Sequence, residues 1–327
     1  MSNLLKHSIH KYITLCDVQY EKLDITYEIF GKELHTAPVI VVFHALTGNS
    51  DVAGENKGWW NGLIGENKAI DLSQFTVISF NILGNGYDGN LIDKYKDFTA
   101  KDIAILSFHT LRAIGVHQIY GVLGGSLGGG IAWELVAEFP QFSKYLFAIA
   151  TDWKATDWIL GFCGAQENIL TNSAEPLVDA RRMAMLFYRS PIALGEKFRR
   201  KKQSEIQYAV NSWLDHHGYK LKNRFQVQAY YMMNHLLSTV DITRGEYKKD
   251  VFQEIRSKVV QISISSDMLY PSSENEKTSK YLTKLGIENG HFVINSNDGH
   301  DAFLIEDDKI GAILSPYLNE AKKLQIA

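Results

Sequence analysis

The chain has 327 residues, 45% of them hydrophobic, a formal net charge of −3 and an isoelectric point of about 6.4. That balance offers no basic surface for a nucleic acid, and the two cysteines, Cys16 and Cys163, lie too far apart in sequence to suggest a disulfide framework or a zinc site. The opening Met-Ser-Asn-Leu-Leu-Lys is not followed by an apolar stretch of signal-peptide or membrane-span length, so a soluble cytoplasmic protein with no membrane partner is expected.

Residues 9–30 alternate loosely between apolar and polar, with Tyr12, Thr14 and Val18 followed by Leu23, Ile25, Tyr27 and Ile29. This predicts a β-hairpin at a sheet edge. Residues 38–43 form a continuous apolar strand that runs into His44-Ala-Leu-Thr-Gly48, and residues 75–80 form another before Asn81-Ile-Leu-Gly-Asn-Gly86. Residues 99–114 read as a helix, with Thr99 and Asp102 able to cap its start and Gly115 to end it.

The next stretch, Tyr120-Gly-Val-Leu-Gly-Gly-Ser126-Leu-Gly-Gly-Gly130, organises the rest. A short apolar strand ends at glycines, and a helical pattern of Ile131, Ala132, Leu135, Val136 and Phe139 follows, stopped by Pro140. Gly124 and Gly128 flank Ser126 two residues away on each side, where any side chain would collide in so sharp a turn. The serine is therefore expected at a strained corner, exposed at the sheet edge above a helix N-terminus. This is the nucleophile elbow of an α/β-hydrolase fold.

One more strand is expected at residues 145–150. From about residue 152 to 249 strand signal is scarce and helical stretches dominate. Residues 204–217 read as a helix with a Ser204/Gln207 capping box, an Ile206, Val210, Trp213, Leu214 stripe and Gly218 as its stop; His216 and His217 are expected on its surface. Residues 225–240 read as another helix with Met232, Met233, Leu236 and Leu237 on one face. Strands return at residues 259–264 and 292–295, and a last helix starts near Asp307. The expected architecture is α/β with a mostly parallel sheet. Residues 1–151 and 251–327 form the core, and 152–250 form an inserted helical lid.

A serine hydroxyl needs a base to become nucleophilic, and the base needs an acid to orient it. Asp267 ends the strand at residues 259–264, and His300 follows the last strand, in the chain order Ser, Asp, His expected of this fold. The rival histidines have other readings: His44 shapes the loop after residues 38–43, His291 opens a strand, and His109 and His117 sit by a helix away from the site. Asp298 and Asp301 adjoin His300 too closely in sequence to reach its ring, which leaves Asp301 for a substrate role. Oxyanion donors are expected at the backbone N–H of Leu127, just after the serine, and of Leu46. No metal and no bound cofactor are expected.

His44-Ala-Leu-Thr-Gly48, Gly58-Trp-Trp-Asn-Gly-Leu-Ile-Gly65, Lys68-Ala-Ile-Asp71, Gly124-Gly-Ser-Leu-Gly-Gly129, Ser266-Asp-Met-Leu-Tyr-Pro271 and Gly299-His-Asp-Ala-Phe-Leu304 together resemble homoserine O-acyltransferases, over nearly the whole chain. The resemblance implies a ping-pong reaction in methionine biosynthesis: Ser126 takes an acyl group, usually acetyl, from acyl-CoA as co-substrate, and His300 then activates an amino-acid hydroxyl, usually that of homoserine. It implies that an arginine in Asp179-Ala-Arg-Arg-Met183, assigned to Arg182, holds the acceptor carboxylate, that Tyr188 assists, and that Asp301 takes the ammonium. It also implies a homodimer joined through lid helices, with the 232–237 face as candidate interface. Three segments depart from the family pattern: the short Gly84-Asn-Gly-Tyr-Asp-Gly89 loop, Lys154 where an arginine is usual, and the short lid. Donor (acetyl or succinyl) and acceptor (homoserine or serine) stay open. The competing readings are a serine esterase using the same triad and an inactive binding protein of the same fold.

Overall fold

The structure, a computed structural model, describes residues 4–54, 58–244 and 249–326. Its frame is an eight-stranded sheet. The strands are β1 (Leu5–Ile13), β2 (Gln19–Gly31), β3 (Val39–Phe43), β4 (Thr76–Phe80), β5 (Ile119–Gly125), β6 (Ser143–Ile149), β7 (Lys258–Ile264) and β8 (Asn289–Ile294). They lie in the order β1-β2-β4-β3-β5-β6-β7-β8. β1 and β2 form the edge hairpin, β2 meets β4 antiparallel, and every pairing from β4 to β8 is parallel. The sequence expectation of a mostly parallel α/β sheet therefore holds.

The central strands are continuous apolar runs because helices cover both faces. In β3 every residue is buried. Val39, Val41 and Phe43 pack with one core, while Ile40 and Val42 pack with the other, as period-two alternation demands. The first core holds α1 (Ala100–Ala113) and α2 (Leu127–Glu138); the second holds α10 (Asp307–Ile326) and Trp60. α1 starts at Thr99 with the expected capping box. Asp102 Oδ1 also accepts from the Tyr12 hydroxyl at 2.8 Å and the Leu15 amide at 2.9 Å, tying the edge hairpin to the first turn of α1.

Between β6 and β7 the chain runs through α3 (Asp157–Asn172), α4 (Pro176–Tyr188), α5 (Pro191–Phe198), α6 (Ala209–Lys222), α7 (Val227–Ser238) and α8 (Lys249–Glu254). α9 (Ser272–Lys284) follows β7. Two helix expectations need correction. α6 begins at Ala209, because the Gln203 and Ser204 amides both donate to the Gln207 carbonyl and close a tight turn there. Ile206 is 97% exposed and belongs to no stripe. α6 also passes through Gly218, where a Cβ would stand 2.7 Å from Val178 Cγ1; that glycine permits close packing on α4 and does not end the helix. In α7, Met232, Met233 and Leu236 are all at 0% exposure. That face is spent on the chain's own core and is closed to a second copy, which overturns it as a dimer interface. Among the described residues, no helix is long and apolar enough to cross a membrane.

Candidate active site

β5 delivers Ser126 to the C-terminal edge of the sheet. Its backbone sits at φ 55°, ψ −126°, a region that L-residues seldom occupy. The surroundings hold it there: its amide donates to the Ile149 carbonyl at 3.0 Å, and its carbonyl accepts from the amides of Gly129 and Gly130. A Cβ on Gly124 would lie 2.2 Å from the Gly128 carbonyl carbon, and one on Gly128 would lie 2.2 Å from the Phe43 carbonyl oxygen. Both glycines are thus required by close backbone approach, and the strain is stored at the residue that carries the hydroxyl. Leu127 opens α2 directly behind it.

Asp267 and His300 meet although 33 residues apart: His300 Nδ1 hydrogen-bonds Asp267 Oδ2 at 2.7 Å, with both side chains almost wholly buried. Asp267 Oδ1 accepts from the amides of Leu269 and Tyr270, each at 2.8 Å, so the carboxylate cannot swing away from the imidazole. The two loops are stitched by Ser266, whose hydroxyl donates to the Ser296 carbonyl at 2.6 Å and accepts from the Gly299 amide at 3.0 Å. Rings of Tyr188, Tyr270 and Phe303 surround the imidazole, with centroids 5.6, 5.8 and 5.3 Å away. His300 Nε2 is buried without a hydrogen-bond partner among the described residues. An unpaired basic nitrogen in a cavity shared with a serine is suited to take that serine's proton, and such contacts commonly tighten when substrate arrives.

That cavity measures about 60 Å³ and is lined by Ala45, Leu46, Thr47, Ser126, Arg181, Tyr188, His300, Asp301, Phe303 and Leu304. A larger groove of about 500 Å³ lies by the N-terminal ends of β5 and β6, around Phe108, Arg112 and Phe139; its lining includes no serine, threonine or cysteine. The His300 loop packs directly on the helical block. A Cβ on Gly299, at φ 69°, would stand 2.8 Å from the Tyr188 carbonyl and 2.7 Å from the Ser190 amide nitrogen. Trp60, from the Gly-Trp-Trp block, donates through Nε1 to the Phe303 carbonyl at 3.0 Å and pins the far side of the same loop.

The structure brings Ser126, Asp267, His300, Leu46, Tyr188 and Asp301 together and leaves Arg182 out. Arg182 lies on the outer side of α4, paired with Asp215 at 3.2 Å and Asp179 at 3.5 Å. Its neighbour Arg181 lines the cavity, with its guanidinium 5.3 Å from the centre of the Tyr188 ring. The two arginines differ by one residue, which on a helix is about 100° of rotation. The seven-residue spacing from Arg181 to Tyr188, close to two full turns, was the signal that separates the two arginines. Burial pushes the Asp301 carboxyl up, while Arg181 and His300 pull it back. Burial also drives the Tyr188 hydroxyl up to about 12, so it stays a hydrogen-bond donor at neutral pH.

Comparison with known proteins adds a family. Residues 38–307 match the alpha/beta hydrolase fold family. A homoserine O-acetyltransferase of Chlorobium chlorochromatii is 30% identical, across 94% of this chain and 93% of its own length. One of Salinibacter ruber is 32% identical, across 85% and 86%. Among solved structures, homoserine O-acetyltransferase from Staphylococcus aureus superposes with a TM-score of 0.82 at 26% identity, covering 97% of this chain and 96% of that one. Esterase E22 superposes with a TM-score of 0.85 at 17% identity, covering 96% and 100%, a likeness of fold alone.

Proposed function

Because the chain belongs to the homoserine O-acetyltransferase family, within the α/β-hydrolase fold, we propose that it transfers an acetyl group from acetyl-CoA to the hydroxyl of L-homoserine through an acyl-Ser126 intermediate. The observation that carries this reading is the convergence of Ser126, His300–Asp267 and the Arg181/Asp301 pair on one small cavity.

In the first half-reaction His300 Nε2 accepts the proton of Ser126 as its oxygen attacks the thioester carbonyl. Asp267 keeps the Nδ1–H tautomer and stabilises the imidazolium. The carbonyl oxygen gains negative charge, which the amides of Leu127 and Leu46 receive. Collapse of the tetrahedral intermediate expels CoA as thiolate, which takes the proton from His300. The second half-reaction runs the same machinery with homoserine: His300 removes the hydroxyl proton, the alkoxide attacks the acyl-serine, and Ser126 leaves with the proton returned.

Arg181, rather than Arg182, suits the acceptor carboxylate, because a guanidinium fork matches a carboxylate and this one has no carboxylate within 4 Å among the described residues. Asp301 suits the ammonium; a bound cation would offset the burial that raises its carboxyl. An esterase has no use for such an opposed pair. The residue assignments, the cytoplasmic setting and a homodimer joined through other parts of the lid are parts of the same proposal.

The test is steady-state release of CoA from acetyl-CoA with L-homoserine, L-serine or no acceptor. Homoserine should accelerate release and give the parallel double-reciprocal lines of a ping-pong reaction. Release that is fast without acceptor and indifferent to amino acids would replace transferase by hydrolase.

A further inference from the structure

His44 is fully buried in the loop after β3 and takes part in none of the proton transfers above. Both of its ring nitrogens are engaged. At Nε2 the Ile82 backbone amide donates at 3.0 Å. A backbone amide can only donate, so Nε2 carries a lone pair and no proton. The Asn85 amide nitrogen lies 3.0 Å from the same Nε2, and its orientation is set on the other side, where Asn85 Oδ1 accepts from the Tyr87 amide at 3.0 Å. A neutral imidazole has one N–H, so it is at Nδ1, which lies 2.7 Å from the Ala45 carbonyl oxygen. Burial keeps the ring neutral by pushing its pKa down to about 4.

The Ala45 carbonyl and the Leu46 N–H belong to one planar trans peptide unit and point in opposite directions. Fixing the carbonyl fixes the N–H. The Gly48 amide donates to the same carbonyl at 2.9 Å, so the peptide is clamped by two donors. A hydrogen bond received at the carbonyl also polarises the N–H of its unit, a cooperative effect. Leu46 lines the cavity that holds Ser126.

We propose that His44, locked as the Nδ1–H tautomer by Ile82 and Asn85, is a positioning residue that orients and polarises the Ala45–Leu46 peptide so that its N–H receives the oxyanion formed at Ser126. This rests on the reading of Ser126 as nucleophile. It also gives a purpose to the loop of residues 81–86, whose side chains and amides hold the imidazole from outside the site.

Two measurements test it. The first is long-range ¹H–¹⁵N correlation NMR on histidine-labelled wild-type protein, with the His44 signals assigned by their loss in His44→Asn. A neutral Nδ1–H ring at pH 6 is expected; an Nε2–H ring or an imidazolium overturns the proposal. The second compares His44→Leu, which has no donor, with His44→Asn, whose amide nitrogen can occupy the Nδ1 position. The probe is methylboronic acid, whose tetrahedral anionic adduct on Ser126 occupies the oxyanion site. His44→Leu should weaken boronate affinity and kcat about 10- to 100-fold, below the full cost of deleting an oxyanion donor, with homoserine KM within about twofold. His44→Asn should recover most of the loss. Equal boronate affinity in wild type and His44→Leu, or His44→Asn as poor as His44→Leu while folded, overturns the inference alone. Wild-type protein that forms no boronate adduct at Ser126 overturns the nucleophile reading, and this inference with it. Should both variants fold poorly, Asn85→Ala leaves the ring in place and should still lower boronate affinity several-fold; no change there also counts against the proposal.

Discussion

The sheet edge and the helical block make unequal contributions to the same cavity. The sheet edge supplies Ser126, Asp267 and His300 from strand ends and loops cross-linked by hydrogen bonds. The helical block supplies Arg181 and Tyr188 from a single face of α4. The groups proposed to move a proton are held by backbone geometry and paired side chains, while those proposed to recognise the acceptor come from one helix, so its register decides which side chain enters the cavity. The first kind tolerates little change anywhere nearby.

This comparison can be broken at either end. Ser126→Ala should lower kcat by roughly 10⁴-fold or more and abolish acetylation of the protein by acetyl-CoA, read by intact mass. Asp267→Asn keeps the shape but offers His300 the wrong partner, and a loss of about 10³- to 10⁴-fold in kcat is expected from stopped CoA release. A loss near tenfold would show that the negative charge of Asp267 adds little beyond the hydrogen bond it offers His300 Nδ1.

The helical side gives a smaller and more selective effect. Arg181→Ala should raise the homoserine KM by roughly 10- to 100-fold while single-turnover acetylation of Ser126 stays within a few-fold of wild type. Arg182→Ala removes only exposed ion pairs with Asp179 and Asp215 and should change KM less than about twofold. Inverted results would return the carboxylate role to Arg182.

These two neighbours also mark how far the sequence could be read. Continuous apolar runs and the Gly124–Gly128 spacing revealed the sheet and the elbow, because sterics leave a strand–turn–helix corner few alternatives. Asp267 and His300 were legible from their place after β7 and β8. Arg181 was legible only in part: its seven-residue spacing from Tyr188 puts the two on one helix face, but only packing of α4 against the His300 loop turns that face toward the cavity. Ser204 misled for a related reason: its turn imitates a capping box, but Gln207 offers its carbonyl to the turn and not its side chain to a helix. The 232–237 face was offered as a dimer interface on the family resemblance; an apolar stripe says that something is covered without saying by what, and here the chain's own core covers it.

The smallest effect concerns the end of β6, where it meets α9. Asp152 follows β6, is buried, and accepts from Thr278 Oγ1 at 3.0 Å and from the Trp153 amide at 2.8 Å. Burial nevertheless raises its carboxyl to about 7. An unfolded aspartate loses its proton near pH 4, so between about pH 4 and 7 the folded state binds more protons, and stability falls as pH rises through that window. Asp152→Asn removes this slope: its melting temperature should gain on wild type by roughly 3 °C more at pH 8 than at pH 4. Parallel melting curves for the two proteins would show that Asp152 is ionised throughout.

Rapid-quench mass spectrometry of wild-type protein mixed with acetyl-CoA and then chased with L-homoserine follows the acyl group itself. One acetyl group is expected on the peptide containing Ser126, stable for many turnover times in buffer and discharged within one turnover as O-acetylhomoserine. Acetyl found on another residue, or lost to water at a rate that homoserine does not change, would contradict transfer through an acyl-Ser126 intermediate.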